Sequence, residues 1–142
     1  MSLAVFDTAS VAETEAVAAR LAATLRGGEC IALEGDLGAG KTQFVRGLVR
    51  ALGANPRAVS SPTFVLLNVY EGGRLTVYHL DAYRVGGADD FEAIGFTELL
   101  DQPDAVVVVE WAERVGPLLP PTQIDVRIEP VGEGRRRIEI SR

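Results

Sequence analysis

A chain of 142 residues with 47% apolar and 24% charged side chains is large enough to bury a core and has the composition of a soluble globular protein, which excludes collagen-like, coiled-coil and long disordered classes. Its formal net charge of −6 excludes wholesale condensation on nucleic acid by counterion release, so any RNA contact is expected to be local or through a partner. The single cysteine, Cys30, allows neither an intramolecular disulfide nor a zinc cluster. The opening MSLAVFDTASVAETE lacks the basic region and apolar run of a signal peptide, and no window reaches the ~18 apolar residues of a membrane span. The expectation is one domain, residues 1–142, in the cytoplasm.

In chain order, Ser10-Val11-Ala12-Glu13 has the form of a capping box, and Val17, Leu21 and Leu25 recur at four-residue spacing. This predicts a helix running to Arg26 and closed by Gly27-Gly28. Glu29 to Glu34 (ECIALE) is a short apolar run before a glycine turn and reads as a buried strand. A second helix is predicted over Lys41 to Leu52, with Gly53 as its stop, and residues 54–62 are loop by composition. Thr63 to Tyr70 and Arg74 to Leu80 are β-prone runs joined through Glu71-Gly72-Gly73, a hairpin signal that breaks the alternation of strands and helices and points to a mixed sheet. Asp89 to Leu100 reads as one or two short helices interrupted near Gly95. The four valines of AVVVVEW predict a strand buried on both faces, in the middle of the sheet. TQIDVRIEP and RRRIEIS alternate as a terminal hairpin.

Gly35 to Thr42, GDLGAGKT, satisfies G-x-x-x-x-G-K-[ST] between a predicted strand and a predicted helix, the context a phosphate-binding loop requires. Such glycines let backbone N–H groups point inward at a phosphate, and the following helix adds its positive end. Asp36, Leu37, Gly38, Ala39, Gly40, Lys41, Thr42 and Gln43 are therefore the candidate nucleotide-binding residues. Lys41 would reach the β- and γ-phosphates and the Thr42 hydroxyl would face Mg²⁺. Lys41 is also the only lysine, the other 13 of 14 basic residues being arginine. Keeping lysine against that bias points to a need for a compact point charge. With no second lysine the chain lacks an N-K-x-D guanine reader, so ATP is the expected nucleotide.

A phosphate loop also needs carboxylates at the ends of neighbouring strands to hold Mg²⁺ and the attacking water. Glu110, after the valine strand, and Asp81, in HLDAYR, are the candidates. Glu110 could instead be a solvated strand-end charge, and Asp81 could cap a turn. His79 reads as structural, and Trp111 as packing either beside the site or in the core. Ser60-Ser61-Pro62-Thr63-Phe64 lies where switch proteins place a γ-phosphate-sensing loop, although such a run is also a common turn. Arg135-Arg136-Arg137 reads as a solvated strand edge.

Together GDLGAGKT, SSPTF, VYHLDAYR, FEAIGF and VVVVEW, in this order and spacing from about Glu29 to Pro130, resemble the bacterial TsaE (YjeE) family. The resemblance implies an α/β, P-loop NTPase-like three-layer fold with a mixed parallel/antiparallel central sheet. It also implies a small ATPase that uses ATP and Mg²⁺ and works with TsaB and TsaD, TsaD being the protein that places threonylcarbamoyl on adenosine 37 of tRNAs reading codons that begin with A. By the same resemblance Lys41, Asp81 and Glu110 are catalytic, Thr42, Asp81 and Glu110 serve the metal, and Thr63 belongs to a switch-like loop. Two other readings stand beside it: a P-loop small-molecule kinase, with Arg84 or Arg114 in its lid, and a nucleotide-binding adaptor without turnover.

Overall fold

The computed structural model describes residues 3–36, 38–60, 67–83 and 88–142. A first strand, β1 (Leu3–Thr8), leads into α1 (Val11–Ala22). The Ser10 hydroxyl accepts the Glu13 amide at 3.1 Å, and the Glu13 carboxylate accepts the amide of Ala9 at 2.8 Å. The capping box thus forms with its return bond one residue upstream of the usual N-cap amide. The helix stops at Ala22 rather than Arg26. The Arg74 guanidinium takes the carbonyls of Ala22 and Leu25 at 2.9 and 2.8 Å, and Glu29 takes the amides of Arg26 and Gly27 at 2.8 and 2.7 Å. The distant Arg74 and the local Glu29 thereby satisfy the chain end that another helical turn would have served.

Next come β2 (Cys30–Glu34) and α2 (Lys41–Ala51), then a 3-10 turn at Pro56–Ala58. The hairpin follows as β3 (Leu67–Tyr70) and β4 (Thr76–Asp81), antiparallel and joined through the predicted glycine turn. Two short helices, α3 (Ala88–Ala93) and α4 (Phe96–Leu100), flank Gly95 as expected. The valine strand is β5 (Ala105–Glu110). A 3-10 segment, Ala112–Leu118, precedes the terminal hairpin of β6 (Ile124–Gly132) and β7 (Arg135–Ser141).

The seven strands of the described residues join one sheet in the order β1-β7-β6-β2-β5-β4-β3. β2, β4, β5 and β6 pair in parallel at the centre, while β3, β7 and β1 add antiparallel edges. The sheet is mixed, and helices cover both faces, giving three layers.

Strand parity decides what each face carries. Val106 and Val108 of β5 enter the cluster made with Val17, Leu21, Phe44 and Leu48 of α1 and α2. Val107 and Val109 enter the opposite cluster, with Phe91, Phe96, Ala112 and Val115. On the first face the helices approach closely: a Cβ at Gly47 would lie 2.6 Å from the Glu15 Cα, so glycine is what permits α2 to cross α1 there. Among the described residues, no helix is long and apolar enough to cross a membrane.

Candidate functional site

The parity that sorts the valines also gathers polar groups. Val77, His79 and Asp81 alternate along β4 toward the face of α2, as do Val106, Val108 and Glu110 along β5. Asp81 and Glu110 are register partners at the carboxyl ends of these parallel strands. The loop from β2 to α2 opens at the same end, so strand and helix deliver Lys41 to Glu110, with Asp81 as the register partner of Glu110 on the neighbouring strand. Open parallel sheets characteristically bind ligands in this position.

The described part of the loop carries backbone conformations that an anion cradle uses. Gly38 has φ +78° and Gly40 φ +108°, left-handed values that a side chain would strain. Gly40 caps α2 without any side-chain acceptor, leaving the first amides of the helix to another partner. Thr42 and Gln43 stand half-buried on that first turn, Asp36 is exposed, and Ala39 is buried with its amide donating to the Asp36 carbonyl at 3.0 Å. Leu37 and Thr63, together with Ser61, Pro62, Phe64 and Arg84, lie outside the described residues.

Lys41 is only 7% exposed. Its ammonium sits 3.5 Å from Glu110 Oε1 and 4.6 Å from the centroid of the Trp111 ring. Glu110 Oε2 lies 2.5 Å from His79 Nε2, and His79 Nδ1 lies 3.1 Å from the Tyr70 hydroxyl. Burial pushes the Glu110 carboxyl up, but the hydrogen bond and charge of His79, followed by the charge and hydrogen bond of Lys41, outweigh it and hold the group below its ordinary value. A carboxylate at this depth stays ionised because it is paired on both oxygens. It is therefore no solvated strand-end charge.

Asp81 is 8% exposed and its Oδ1 accepts the Tyr83 amide at 2.8 Å. The turn-capping role is real, and the same residue still stands opposite Glu110. Trp111 lies beside the site rather than in the deep core. It is the one non-glycine with positive φ, +57°, among the described residues. That conformation lays its ring against Lys41 on one side and 5.1 Å from the Tyr83 ring on the other. The Arg114 guanidinium stacks over Tyr83 at 4.5 Å.

Three residues that sequence reasoning left outside the site touch it. His79 is fully buried and grips Glu110. Its place two residues before Asp81 in an alternating strand was the available signal. Tyr70 reaches His79 across the β3–β4 hairpin and carries no local signature. Arg136, read as a solvated edge, hydrogen-bonds the Gly38 carbonyl at 3.1 Å. That contact spans 98 residues and follows from β6 pairing with β2, which brings the last hairpin alongside the cradle.

Hydroxyl and carboxylate oxygens from Thr42, Asp81 and Glu110 form a hard donor set of the kind Mg²⁺ takes. Among the described residues no three His, Cys, Asp or Glu converge on one point.

A family model described as threonylcarbamoyl adenosine biosynthesis protein TsaE matches residues 8–138. The tRNA threonylcarbamoyladenosine biosynthesis protein TsaE of Bacillus subtilis is 39% identical over 131 residues, covering 92% of this chain and 80% of that protein. The protein of the same name from Aquifex aeolicus is 41% identical over 131 residues, 92% and 90% of the two chains, and that from Treponema pallidum 42% identical over 117 residues, 82% and 84%. The crystal structure of Bacillus subtilis YdiB superposes with a TM-score of 0.76 at 32% identity, over 98% of this chain and 84% of that one. With matches of this extent across the strands and loops that carry the cradle and its carboxylates, the chain belongs to the TsaE family of threonylcarbamoyl adenosine biosynthesis proteins.

Proposed function

We propose that this protein binds ATP with Mg²⁺ in the 35–42 cradle and hydrolyses it in the cytoplasm, within an assembly containing TsaB and TsaD that modifies adenosine 37 of tRNA. The observation that carries this reading is the buried meeting of Lys41 and Glu110, 3.5 Å apart at the mouth of the cradle and flanked by Asp81.

Backbone amides from Gly38 to Thr42 cradle the phosphates, and the amino end of α2 adds favourable charge. The neighbouring Asp36 and Gln43 line the nucleotide site, and Leu37, outside the described residues, is assigned to it from the loop motif alone. Lys41 turns from Glu110 to the terminal phosphate. Its deep burial strengthens that contact, since little water screens it. The Thr42 hydroxyl and the carboxylates of Asp81 and Glu110 would hold the metal and orient the attacking water, Glu110 favouring coordination and Asp81 the complementary role. Mg²⁺, when bound, supplies the positive charge that offsets negative charge building on the phosphoryl oxygens. Thr63 is assigned to the nucleotide from its place in the family motif, since it lies outside the described residues. The chain's net charge of −6 favours tRNA contact made through the partners. The weak isolated activity expected of such an assembly member follows if docking completes the water site. Arg114, one of the lid residues a kinase would need, stacks over Tyr83 here.

Labelled ATP tests the proposal. Phosphate released to water only when TsaB and TsaD are present supports it; label moved to an acceptor establishes a kinase, and binding without product establishes an adaptor. Absence of any calorimetric heat with Mg-ATP removes all three readings.

A further inference from the structure

His79 and Tyr70 are polar groups buried in the sheet next to the candidate site, and neither belongs to the set of Lys41, Thr42, Asp81 and Glu110. His79 is fully buried and Tyr70 is 4% exposed. They make a continuous chain: Glu110 Oε2 to His79 Nε2 at 2.5 Å, His79 Nδ1 to the Tyr70 hydroxyl at 3.1 Å, and the Tyr70 hydroxyl to the Ser60 carbonyl at 3.3 Å. An ionised carboxylate only accepts, so His79 donates at Nε2, and because the single Tyr70 proton goes to the Ser60 carbonyl, the Tyr70 oxygen accepts from His79 Nδ1.

Fixing a carboxylate takes two contacts from different directions. Here Lys41 holds Oε1 and His79 holds Oε2. Lys41 is the contact that gives way, because the cradle reading requires its ammonium to face phosphate. His79 is then the remaining grip on Glu110. The histidine ring in turn is kept from rotating by Tyr70, which is anchored to main chain rather than to another mobile side chain. A second ring of hydrogen bonds that orients the reacting shell is a recurrent requirement of metal and hydrolytic sites.

We propose that His79 and Tyr70 are positioning residues for hydrolysis: His79 aims the Glu110 carboxylate, and Tyr70 locks His79 to the backbone at Ser60. This rests on reading Glu110 as part of an ATP-hydrolysing site.

The test uses the full chain with Mg-ATP, TsaB and TsaD, and three variants. His79→Gln retains a donor near the Nε2 position, His79→Asn retains one only near Nδ1, and Tyr70→Phe removes a single hydroxyl with little change of shape. His79→Asn is expected to lower kcat about 10–100-fold, the usual span for an outer hydrogen-bonding partner, with the Mg-ATP dissociation constant read from Trp111 fluorescence unchanged within about twofold. His79→Gln recovers most of that loss, and Tyr70→Phe shows a smaller drop in kcat of the same kind. A nucleotide-free crystal structure supplies a readout apart from turnover: Glu110 leaves its position beside Lys41 in His79→Asn and keeps it in His79→Gln. The proposal is overturned if Glu110 keeps its place in His79→Asn, or if the Gln and Asn variants are equally impaired. It is overturned too if Tyr70→Phe leaves kcat untouched. Wild-type protein that releases no phosphate with both partners defeats the ATPase reading instead, while the crystallographic comparison still decides whether His79 positions Glu110.

Discussion

The two faces of the sheet differ at their upper ends. Under α1 and α2, apolar rows from Val77, Val106 and Val108 run up into His79, Asp81, Glu110 and Lys41, all buried. Under the short helices, the rows of Leu80, Val107 and Val109 continue into Ala82, Ala112 and Val115 with no charge among them. The same strands supply both, so a one-residue change of register would exchange chemistry for core. Among the described residues, buried charge thus lies on one half of one face, and the cluster on the other face is a stabilising layer.

Substitutions can break that division or sharpen it. The largest effect is expected from Lys41→Ala, which should reduce partner-dependent phosphate release by 100-fold or more, on the order of losing one transition-state donor, in an assay of inorganic phosphate. On the apolar face, Phe91→Ala should cost about 3–5 kcal/mol of stability by denaturant melt, since Phe91 is fully buried and packs 4.8 Å from Phe96. Its Mg-ATP affinity by calorimetry should stay at the wild-type value below the melting temperature, and a parallel loss of affinity would break the division.

Gly47→Ala should cost about 1–3 kcal/mol through the clash with Glu15 where α1 and α2 cross, seen as a lowered Tm. Glu110 offers a pH test of the charged face. Its folded pKa lies below the ordinary 4.5, so its stabilising contribution is present above pH 4.5 and disappears as pH falls through the folded value. The Tm gap between wild type and Glu110→Gln should therefore be open at pH 7 and narrow in acid. The smallest effect concerns Cys30. Burial, then the nearby Asp125 charge, push its thiol up to about 12, so native protein at pH 8 should resist thiol reagents until unfolded.

Most of the charged face was legible because its signals are local. A cap at Ser10, the glycine pattern from Gly35 to Lys41, and carboxylates placed after apolar runs each occupy a few consecutive residues. Even the interruption at Gly95 and the turn at Gly72-Gly73 could be read this way. β1 could not, because it is an edge strand whose Leu3 and Val5 are 63% and 50% exposed and so shows no buried alternation. Helix α1 was overextended because its stop depends on Arg74, about fifty residues distant. The links from Tyr70 to His79 and from Arg136 to Gly38 were likewise hidden, since strand pairing makes neighbours of residues no local pattern connects.

Strand order also dictates when the sheet can close during synthesis. β2, which leads directly into the cradle, has β5 on one side and β6 on the other, and β1 pairs with β7. Until residues 124–141 have left the ribosome, one edge of β2 stays open and the earliest strand waits for a partner made more than a hundred residues later. A nascent chain halted before that point would expose unpaired strand edges that invite association with other chains. Completion of the last hairpin is therefore the event that turns the growing polypeptide into a closed sheet, and long-range closure of this kind is slow.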